Sequence, residues 1–203
     1  MASNQNWRKQ QDRDIYFRRA IADGWRSRAV FKLEQINKRS QILRKGMVCL
    51  DLGASPGGWS QYISRKFDGN VKIIAIDILP IEKIESVDFY QGDFTDEVFY
   101  EFLLKKTENI KIDLVMSDMA PNISGIKVSD QAKSIYLAEL ARDVCKEMLK
   151  NDGNFICKLF QGEGFDEYIK ETRRYFKKVS VFKPDASRTD SSEIFMIAKG
   201  FVG

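Results

Sequence analysis

The chain has 203 residues, of which 43% are hydrophobic and 31% are charged, and it contains no histidine. This length and composition are those of one globular domain that is large enough to bury a proper core. No apolar run could cross a bilayer, the first residues lack the apolar stretch of a secretory signal, and the three cysteines form no Cys-x-x-Cys pair. These features argue against a membrane-spanning, secreted or disulfide-framework protein, and we expect a cytoplasmic one.

The N-terminal part of the chain is strongly basic. Residues 1–45 carry 12 Lys and Arg against four Asp and Glu, a net charge of +8, whereas residues 46–203 carry a net charge of −4. Residues 1–13 are polar, and the apolar spacing that follows them is helical. Two interpretations stay equally open: a solvated basic surface, or a surface for a polyanion with aromatic side chains among the charges.

Beyond residue 45, short apolar runs alternate with helical patterns, which predicts an α/β fold with a mostly parallel sheet and right-handed crossovers. Several runs are almost continuously apolar, as expected where helices cover both faces of a sheet. No helix fits before the last strand, so we expect that strand to pair antiparallel. The predicted strands are 47–52, 72–77, 87–90, 112–117, 154–159, 178–182 and 193–199. The predicted helices are 14–23, 26–39, 58–67, 81–84, 95–106, 129–150 and 165–175.

A glycine-rich turn follows the first predicted strand, in the segment Asp51-Leu52-Gly53-Ala54-Ser55-Pro56-Gly57-Gly58-Trp59. The turn lacks both the Gly-x-Gly-x-x-Gly of dinucleotide sites and the Gly-Lys-Ser/Thr ending of phosphate loops, so the sequence disfavours a pyrophosphate cradle. Its glycines still let a ligand approach the backbone closely, and the helix that follows favours an anionic group such as a carboxylate.

The first four predicted strands each end at or near an aspartate. These residues are Asp51, Asp77, Asp93 and Asp118. A single aspartate after a strand is usually a turn or cap residue. In α/β proteins, ligands bind at the carboxyl ends of the strands. Four aspartates at these ends, together with a glycine-rich turn, therefore indicate a cleft for a nucleoside ligand. Asp77 is the residue expected to accept from ribose hydroxyls.

Four charged side chains lie in segments that are otherwise apolar. They are Lys32, Asp118, Lys158 and Glu193. Lys and Glu are rarely buried unless they are paired, so we expect these two cations and two anions to meet in the fold. A lysine held among apolar neighbours and beside another cation loses proton affinity, which makes Lys158 a candidate base in a chain without histidine. The alternative is a buried ion-pair network without chemistry.

Five longer segments resemble, in order and spacing, the signature segments of the FtsJ-type ribose 2′-O-methyltransferases, and the resemblance covers nearly everything from Tyr16 onward. The segments are Trp25-Arg26-Ser27-Arg28-Ala29-Val30-Phe31-Lys32-Leu33, Asp51-Leu52-Gly53-Ala54-Ser55-Pro56-Gly57-Gly58-Trp59-Ser60-Gln61, Ser117-Asp118-Met119-Ala120-Pro121-Asn122, Lys158-Leu159-Phe160-Gln161-Gly162-Glu163-Gly164-Phe165-Asp166 and Lys183-Pro184-Asp185-Ala186-Ser187-Arg188.

The resemblance implies a single Rossmann-like methyltransferase domain over 1–203, with a basic extension and helices in 1–45 and the cofactor-binding and catalytic core in 46–203. It implies S-adenosylmethionine as the methyl donor and no metal. The catalytic residues that it implies are Lys32, Asp118, Lys158 and Glu193. The cofactor contacts that it implies are Gly57, Trp59, Asp77, Asp93 and Asp118.

The substrate that the resemblance implies is a uridine in the A-loop of large-subunit ribosomal RNA, methylated within the large subunit by a monomer that needs no membrane. The 2′-hydroxyl, which DNA lacks, makes RNA the substrate class, and Arg188 and Lys127 are expected to hold its phosphates. Sister groups of the family modify tRNA or mRNA caps, and that alternative stays open. A non-catalytic binding module is disfavoured by the intact set of four charged residues. A nicotinamide-dependent dehydrogenase is disfavoured by the absent glycine motif. Whether Lys158 removes the hydroxyl proton or only orients the hydroxyl also stays open.

Overall fold

The computed structural model describes residues 14–122, 124–188 and 191–203. The polar segment 1–13, with three of the 12 basic residues of the N-terminal part, lies outside the described residues, so neither interpretation of that segment is tested. Within the described ranges, no helix is both long and apolar enough to cross a membrane.

Seven strands form one sheet in the described part of the chain. They are β1 (Val48–Leu52), β2 (Lys72–Asp77), β3 (Val87–Gln91), β4 (Ile112–Ser117), β5 (Leu149–Phe160), β6 (Phe176–Phe182) and β7 (Glu193–Phe201). Their order across the sheet is β3-β2-β1-β4-β5-β7-β6. Strand β7 runs antiparallel to both of its neighbours, whereas the pairs from β3 to β5 are parallel. The predicted fold class, including the antiparallel last strand, is confirmed.

Helices cover both faces of this sheet. Those of the described residues are α1 (Ile15–Ala22), α2 (Val30–Ser40), α3 (Gly58–Lys66), α4 (Glu97–Thr107), α5 (Lys127–Met148) and α6 (Phe165–Thr172). One apolar core lies between the sheet and α1–α3, and a second lies between the sheet and α4–α6. Side-chain caps fix two of the helix starts, because Asp14 accepts from the Tyr16 and Phe17 N–H groups and Asp96 accepts from the Phe99 N–H.

The predicted helix over 26–39 begins only at Val30, and the short helix predicted over 81–84 is wrong. Both differences have one cause, the side chain and backbone of Arg26. Its N–H donates to Gln61 Oε1 at 2.9 Å, and its guanidinium donates to the carbonyls of Glu82 at 2.7 Å and Lys83 at 2.9 Å. These long-range contacts hold both segments as irregular loops, and a four-residue helix has too few internal bonds to compete with them.

Several other boundaries differ by a few residues, and two of them lie where a helix is followed closely by a strand. Helix α5 ends at Met148 rather than at 150, and β5 begins at once, with Leu149 paired to Ile112 before a register shift brings Asn154 opposite Leu114. Helix α6 ends at Thr172 rather than at 175. In both places the strand after the helix begins earlier than the apolar pattern predicts, because Leu149 already pairs with Ile112 and Phe176 already pairs with Phe201.

The strand order places a topological switch point between β1 and β4. From this point the connections run outward in opposite directions, which opens a crevice at the carboxyl ends of the two strands. Leu52 pairs with Ser117 in the register, and the Asp118 N–H donates to Leu52 O at 3.3 Å. The fold therefore brings the glycine-rich turn after β1 directly beside Asp118.

Candidate active site

Two cavities open side by side at the switch point, with volumes of about 450 Å³ and about 430 Å³. We call the first the lysine cavity, because Lys32 and Lys158 line it together with Asp118 and Glu193. We call the second the aspartate cavity, because Asp77, Asp93 and Asp118 line it. The residues that line both are Gly53, Ser55, Asp118 and Ala120. A ligand in one cavity can thus reach a ligand in the other past Asp118.

The four charged residues predicted to meet do so in the lysine cavity. Lys158 projects from β5 and Asp118 follows β4, so adjacent strands deliver them side by side. Lys158 Nζ donates to the main-chain carbonyl of Asp118 at 2.6 Å and lies 3.1 Å from Asp118 Oδ1. Both side chains are largely buried, with 7% and 18% of their surfaces exposed. A charge at that depth needs a partner, and each supplies it to the other.

The second pair joins the first through Lys32. Lys32 lies in the first turn of α2, where Phe31 and Leu33 beside it are buried in the core. Its ammonium is 2.8 Å from the Glu193 carboxylate and 4.0 Å from Asp118 Oδ1. Lys32 is therefore bound to Glu193 and only loosely to Asp118, which leaves Asp118 Oδ1 beside Lys158.

Several buried polar atoms of the lysine cavity lack a hydrogen-bond partner. Among the described residues five such side-chain atoms occur, and three of them belong to cavity residues, namely Ser27 Oγ, Arg28 Nε and Asp118 Oδ1. Asp118 Oδ1 is close enough to Lys158 for an ion pair but is not aligned for a hydrogen bond. An unsatisfied buried polar group costs roughly 1–3 kcal/mol, so the cavity is suited to a polar ligand.

The glycine-rich turn forms the wall between the two cavities. Gly53 has a positive φ of 76°, and a Cβ there would lie 2.6 Å from the Met119 side chain, so only glycine fits. Trp59 lines the lysine cavity with its ring, and its Nε1 donates to Ala29 O at 2.9 Å. Gly57, in contrast, is outside the lining of either cavity, and a Cβ on it would meet Ile84. The contact of Gly57 with a cofactor stays a prediction.

The aspartate cavity combines carboxylates with apolar walls. Asp77 accepts from the Ser55 N–H at 2.8 Å and from the Leu79 N–H at 2.8 Å, one bond on each oxygen. Asp93 Oδ1 accepts from both the N–H and the hydroxyl of Thr95, so this residue also stabilises a turn. Both carboxylates keep acceptor capacity for a ligand. The apolar wall consists of Ile76, Ile78, Phe94, Met119 and Leu137.

Asp51 is predicted as one of four aspartates beside a ligand cleft but not as a buried charge of the lysine cavity, yet it lines this cavity and is 1% exposed. Ser60 Oγ donates to its Oδ2 at 2.6 Å. Burial raises the pKa of Asp51 to about 7, and the charges of Asp118 and Asp77 add to this effect, whereas the Ser60 hydrogen bonds oppose it. A carboxylate inside the apolar run of β1 was the available signal, the same signal that identified Lys158.

The raised pKa of Asp51 predicts a pH-dependent stability. In the folded protein Asp51 keeps a proton that the unfolded chain loses near pH 4. The contribution of this proton to the free energy of unfolding is therefore complete below pH 4 and is lost as the pH rises through about 7. Asp51→Asn keeps an acceptor for Ser60 and removes the titration. We expect the free energy of unfolding of Asp51→Asn, compared with that of the unsubstituted protein, to rise between pH 5 and pH 8 by on the order of 3 kcal/mol. Urea unfolding at several pH values measures this, with Asp88→Asn on the exposed side of β3 as the control. Parallel pH profiles for the two variants would contradict it.

Comparison with known proteins adds three findings. The family described as FtsJ-like methyltransferase matches residues 25–201. The chain is 45% identical over 201 residues to the ribosomal RNA large subunit methyltransferase E of Cellvibrio japonicus, a match that covers 99% of this chain and 95% of that protein. It also resembles the crystal structure of a ribosomal RNA methyltransferase from Plasmodium falciparum, with a TM-score of 0.78 and 28% identity over 88% of this chain and 100% of that one. The family match includes Lys32, Asp118, Lys158 and Glu193.

Proposed function

The chain belongs to the FtsJ-like methyltransferase family, and from this premise we propose that it methylates the ribose 2′-hydroxyl of a uridine in the A-loop of large-subunit ribosomal RNA. The methyl donor is S-adenosylmethionine, and the substrate is the RNA within the large ribosomal subunit. The protein acts as a monomer, with one methyltransferase domain over 1–203. The choice of ribosomal RNA is supported by the names of the two relatives.

One observation carries the proposal: Asp118 belongs to both cavities and lies 3.1 Å from Lys158. A methyl donor in the aspartate cavity and a hydroxyl in the lysine cavity would meet at this residue. Holding two reactants in line is the largest part of what a methyl transfer requires of a protein, because the bimolecular step then becomes effectively unimolecular.

The residues of the aspartate cavity fit the adenosine part of the donor. Asp77 can accept from the two ribose hydroxyls, and Asp93 can accept from the amino group of the base. Toward the lysine cavity, Asp51 and Asp118 present carboxylates to the methionine end, which carries an ammonium and a sulfonium. When bound, S-adenosylmethionine supplies a methyl group on a positively charged sulfur that is a good leaving group.

Lys158 acts on the acceptor hydroxyl. Lys158 Nζ donates to the carbonyl of Asp118 at 2.6 Å and lies 3.1 Å from its carboxylate, and these two contacts hold the amine in place to act on the hydroxyl proton. Lys32 and Glu193 form the second ion pair of the cavity, and Lys32 lies beside Asp118. We therefore assign proton removal to Lys158 and orientation to the other three residues.

RNA phosphates would contact the cavity mouth rather than the whole basic N-terminal part. Of the nine basic residues in 14–45, five form ion pairs within the chain: Arg19, Arg26, Arg28, Lys32 and Arg44. Three of them, Arg26, Lys32 and Arg44, pair with acids beyond residue 45 and so offset three of the eight excess positive charges of 1–45. Arg188, which lines the lysine cavity, and the exposed Lys127 are the residues that we propose for phosphate contacts.

The test of the proposed function is methyl transfer in vitro. The purified protein is mixed with methyl-labelled S-adenosylmethionine and, in separate reactions, with large ribosomal subunits, tRNA or capped mRNA. We expect label on the ribose of a large-subunit uridine, which survives alkaline hydrolysis as a resistant dinucleotide. Label on tRNA or on the cap alone would overturn the ribosomal substrate, and no label on any RNA would overturn the function.

Asp77→Ala is expected to weaken binding of the methyl donor. The change removes a charged acceptor for the ribose hydroxyls, and one such bond contributes about 1.5–3 kcal/mol. Titration calorimetry measures the affinity. Asp77→Asn is the matched variant, because it keeps one acceptor oxygen and should lose less. Unchanged affinity in Asp77→Ala would place the adenosine elsewhere.

A further inference from the structure

The connection between β6 and β7 is fixed to a different part of the chain. We call residues 184–187 the strap. The Ser187 N–H donates to Pro184 O at 2.9 Å, which closes a turn. Ala186 at its centre is fully buried; its N–H donates to Gln35 Oε1 at 3.2 Å, and its carbonyl accepts from the Arg28 guanidinium. The strap is therefore held by α2 and by the turn that precedes it, and not only by its own strands.

One side chain of the strap, that of Ser187, contacts Glu193 of the four charged residues. Ser187 is 5% exposed, and its hydroxyl donates to Glu193 Oε1 at 2.8 Å. Lys32 contacts the same carboxylate at 2.8 Å. The last torsion of a glutamate is broad and poorly defined on its own, so a carboxylate needs two contacts to keep a single orientation. Ser187 and Lys32 are these two contacts.

The orientation of Glu193 determines the position of Lys32. The Lys32 ammonium lies 2.8 Å from Glu193 but 4.0 Å from Asp118 Oδ1. If Glu193 turned away, the ammonium would be drawn to Asp118 as the nearest remaining anion. It would then compete with Lys158 for the oxygen that orients Lys158.

We infer that Ser187 is a positioning residue of this active site, which fixes the Glu193 carboxylate and thereby keeps Lys32 from displacing Lys158 at Asp118. The inference rests on the proposed methyl transfer. Ser187 acts through Glu193 and touches neither the hydroxyl nor the methyl donor. Its loss therefore slows the transfer step and leaves the binding of both substrates in place.

The test compares single-turnover rates in a double-mutant cycle of Ser187→Ala and Glu193→Ala. We expect Ser187→Ala to lower the rate by roughly tenfold to a hundredfold, the value of one hydrogen bond to a charged group. Affinity for the methyl donor and the Michaelis constant for RNA should not change. In the Glu193→Ala background the same change should have less than a twofold effect, because the group that Ser187 positions is absent.

Ser180→Ala is the matched control, since Ser180 is a half-buried serine of β6 whose hydroxyl donates to Ile197 O outside the cavity. Donor affinity and the melting temperature show that each variant is folded. A normal rate in Ser187→Ala, or an equal loss with and without Glu193, would overturn the inference. If the unsubstituted protein transfers no methyl group to any RNA, it is the proposed function that fails, and the two failures are therefore distinguishable.

Discussion

Lys158→Ala is expected to reduce methyl transfer roughly a hundredfold to ten-thousandfold, the range over which a positioned acid or base contributes. Lys158 lines the lysine cavity but not the aspartate cavity, so affinity for S-adenosylmethionine should stay the same. Lys32→Ala and Glu193→Ala should be milder, because these residues orient and balance charge. Lys170→Ala, which changes an exposed lysine of α6, is the control. Substantial activity in Lys158→Ala would end the assignment of these four residues as catalytic.

The pH dependence separates the two roles that the sequence left open for Lys158. If Lys158 accepts the hydroxyl proton, the single-turnover rate must rise with pH, as for any general base. The measurement runs from pH 6 to pH 10 with both substrates saturating, so that only the chemical step is observed. A flat profile together with an inactive Lys158→Ala variant would make Lys158 an orienting group.

The sheet could be predicted from the sequence because its strands are decided locally. The runs 72–77 and 112–117 are nearly continuous apolar segments, and β2 and β4 have these bounds. The antiparallel β7 followed from the lack of any helix before it. The start of α2 and the loop at 81–84 could not be predicted, since both depend on contacts of Arg26 with distant residues, Gln61 for the first and residues 82–83 for the second. A local pattern contains no information about a contact between residues 56 positions apart.

The meeting of the four charged residues could also be predicted, for a thermodynamic reason. A buried lysine or glutamate without a partner is too unfavourable to keep, so each one in an apolar run implies an opposite charge nearby. Asp51 departs from this reasoning, because its buried carboxyl accepts from Ser60 Oγ, forms no ion pair among the described residues, and has a raised pKa. Ser187 gave no such signal, because a serine in a loop is ordinary and its contact depends on the path of the strap. The net charge of 1–45 did not indicate which of its basic residues form ion pairs, since a count contains no information about contacts.

Asp118→Ala should lower both the affinity for the methyl donor and the rate of transfer. Asp118 lines both cavities, and its carboxylate lies between the two lysines, 3.1 Å from Lys158 and 4.0 Å from Lys32. Without it, Lys158 has no ion-pair partner among the described residues, and breaking a buried pair in this way costs about 3–5 kcal/mol.

For Asp118→Ala, calorimetry with S-adenosylmethionine measures the loss of affinity, and single-turnover transfer measures the loss of rate. The variant Asp118→Asn keeps the shape of the side chain and therefore separates the effect of the charge from that of the packing. We expect Asp118→Asn to be nearly as slow as Asp118→Ala, because the negative charge and not the volume orients Lys158. Combining Asp118→Ala with Lys158→Ala should slow transfer hardly more than Lys158→Ala alone, since the two residues act on one hydroxyl as a unit. Normal donor affinity in Asp118→Ala would show that the carboxylate serves the lysine cavity alone. Additive losses in the double variant would show that Asp118 and Lys158 act independently. That result would contradict the proposal that the methyl donor and the acceptor hydroxyl meet at Asp118.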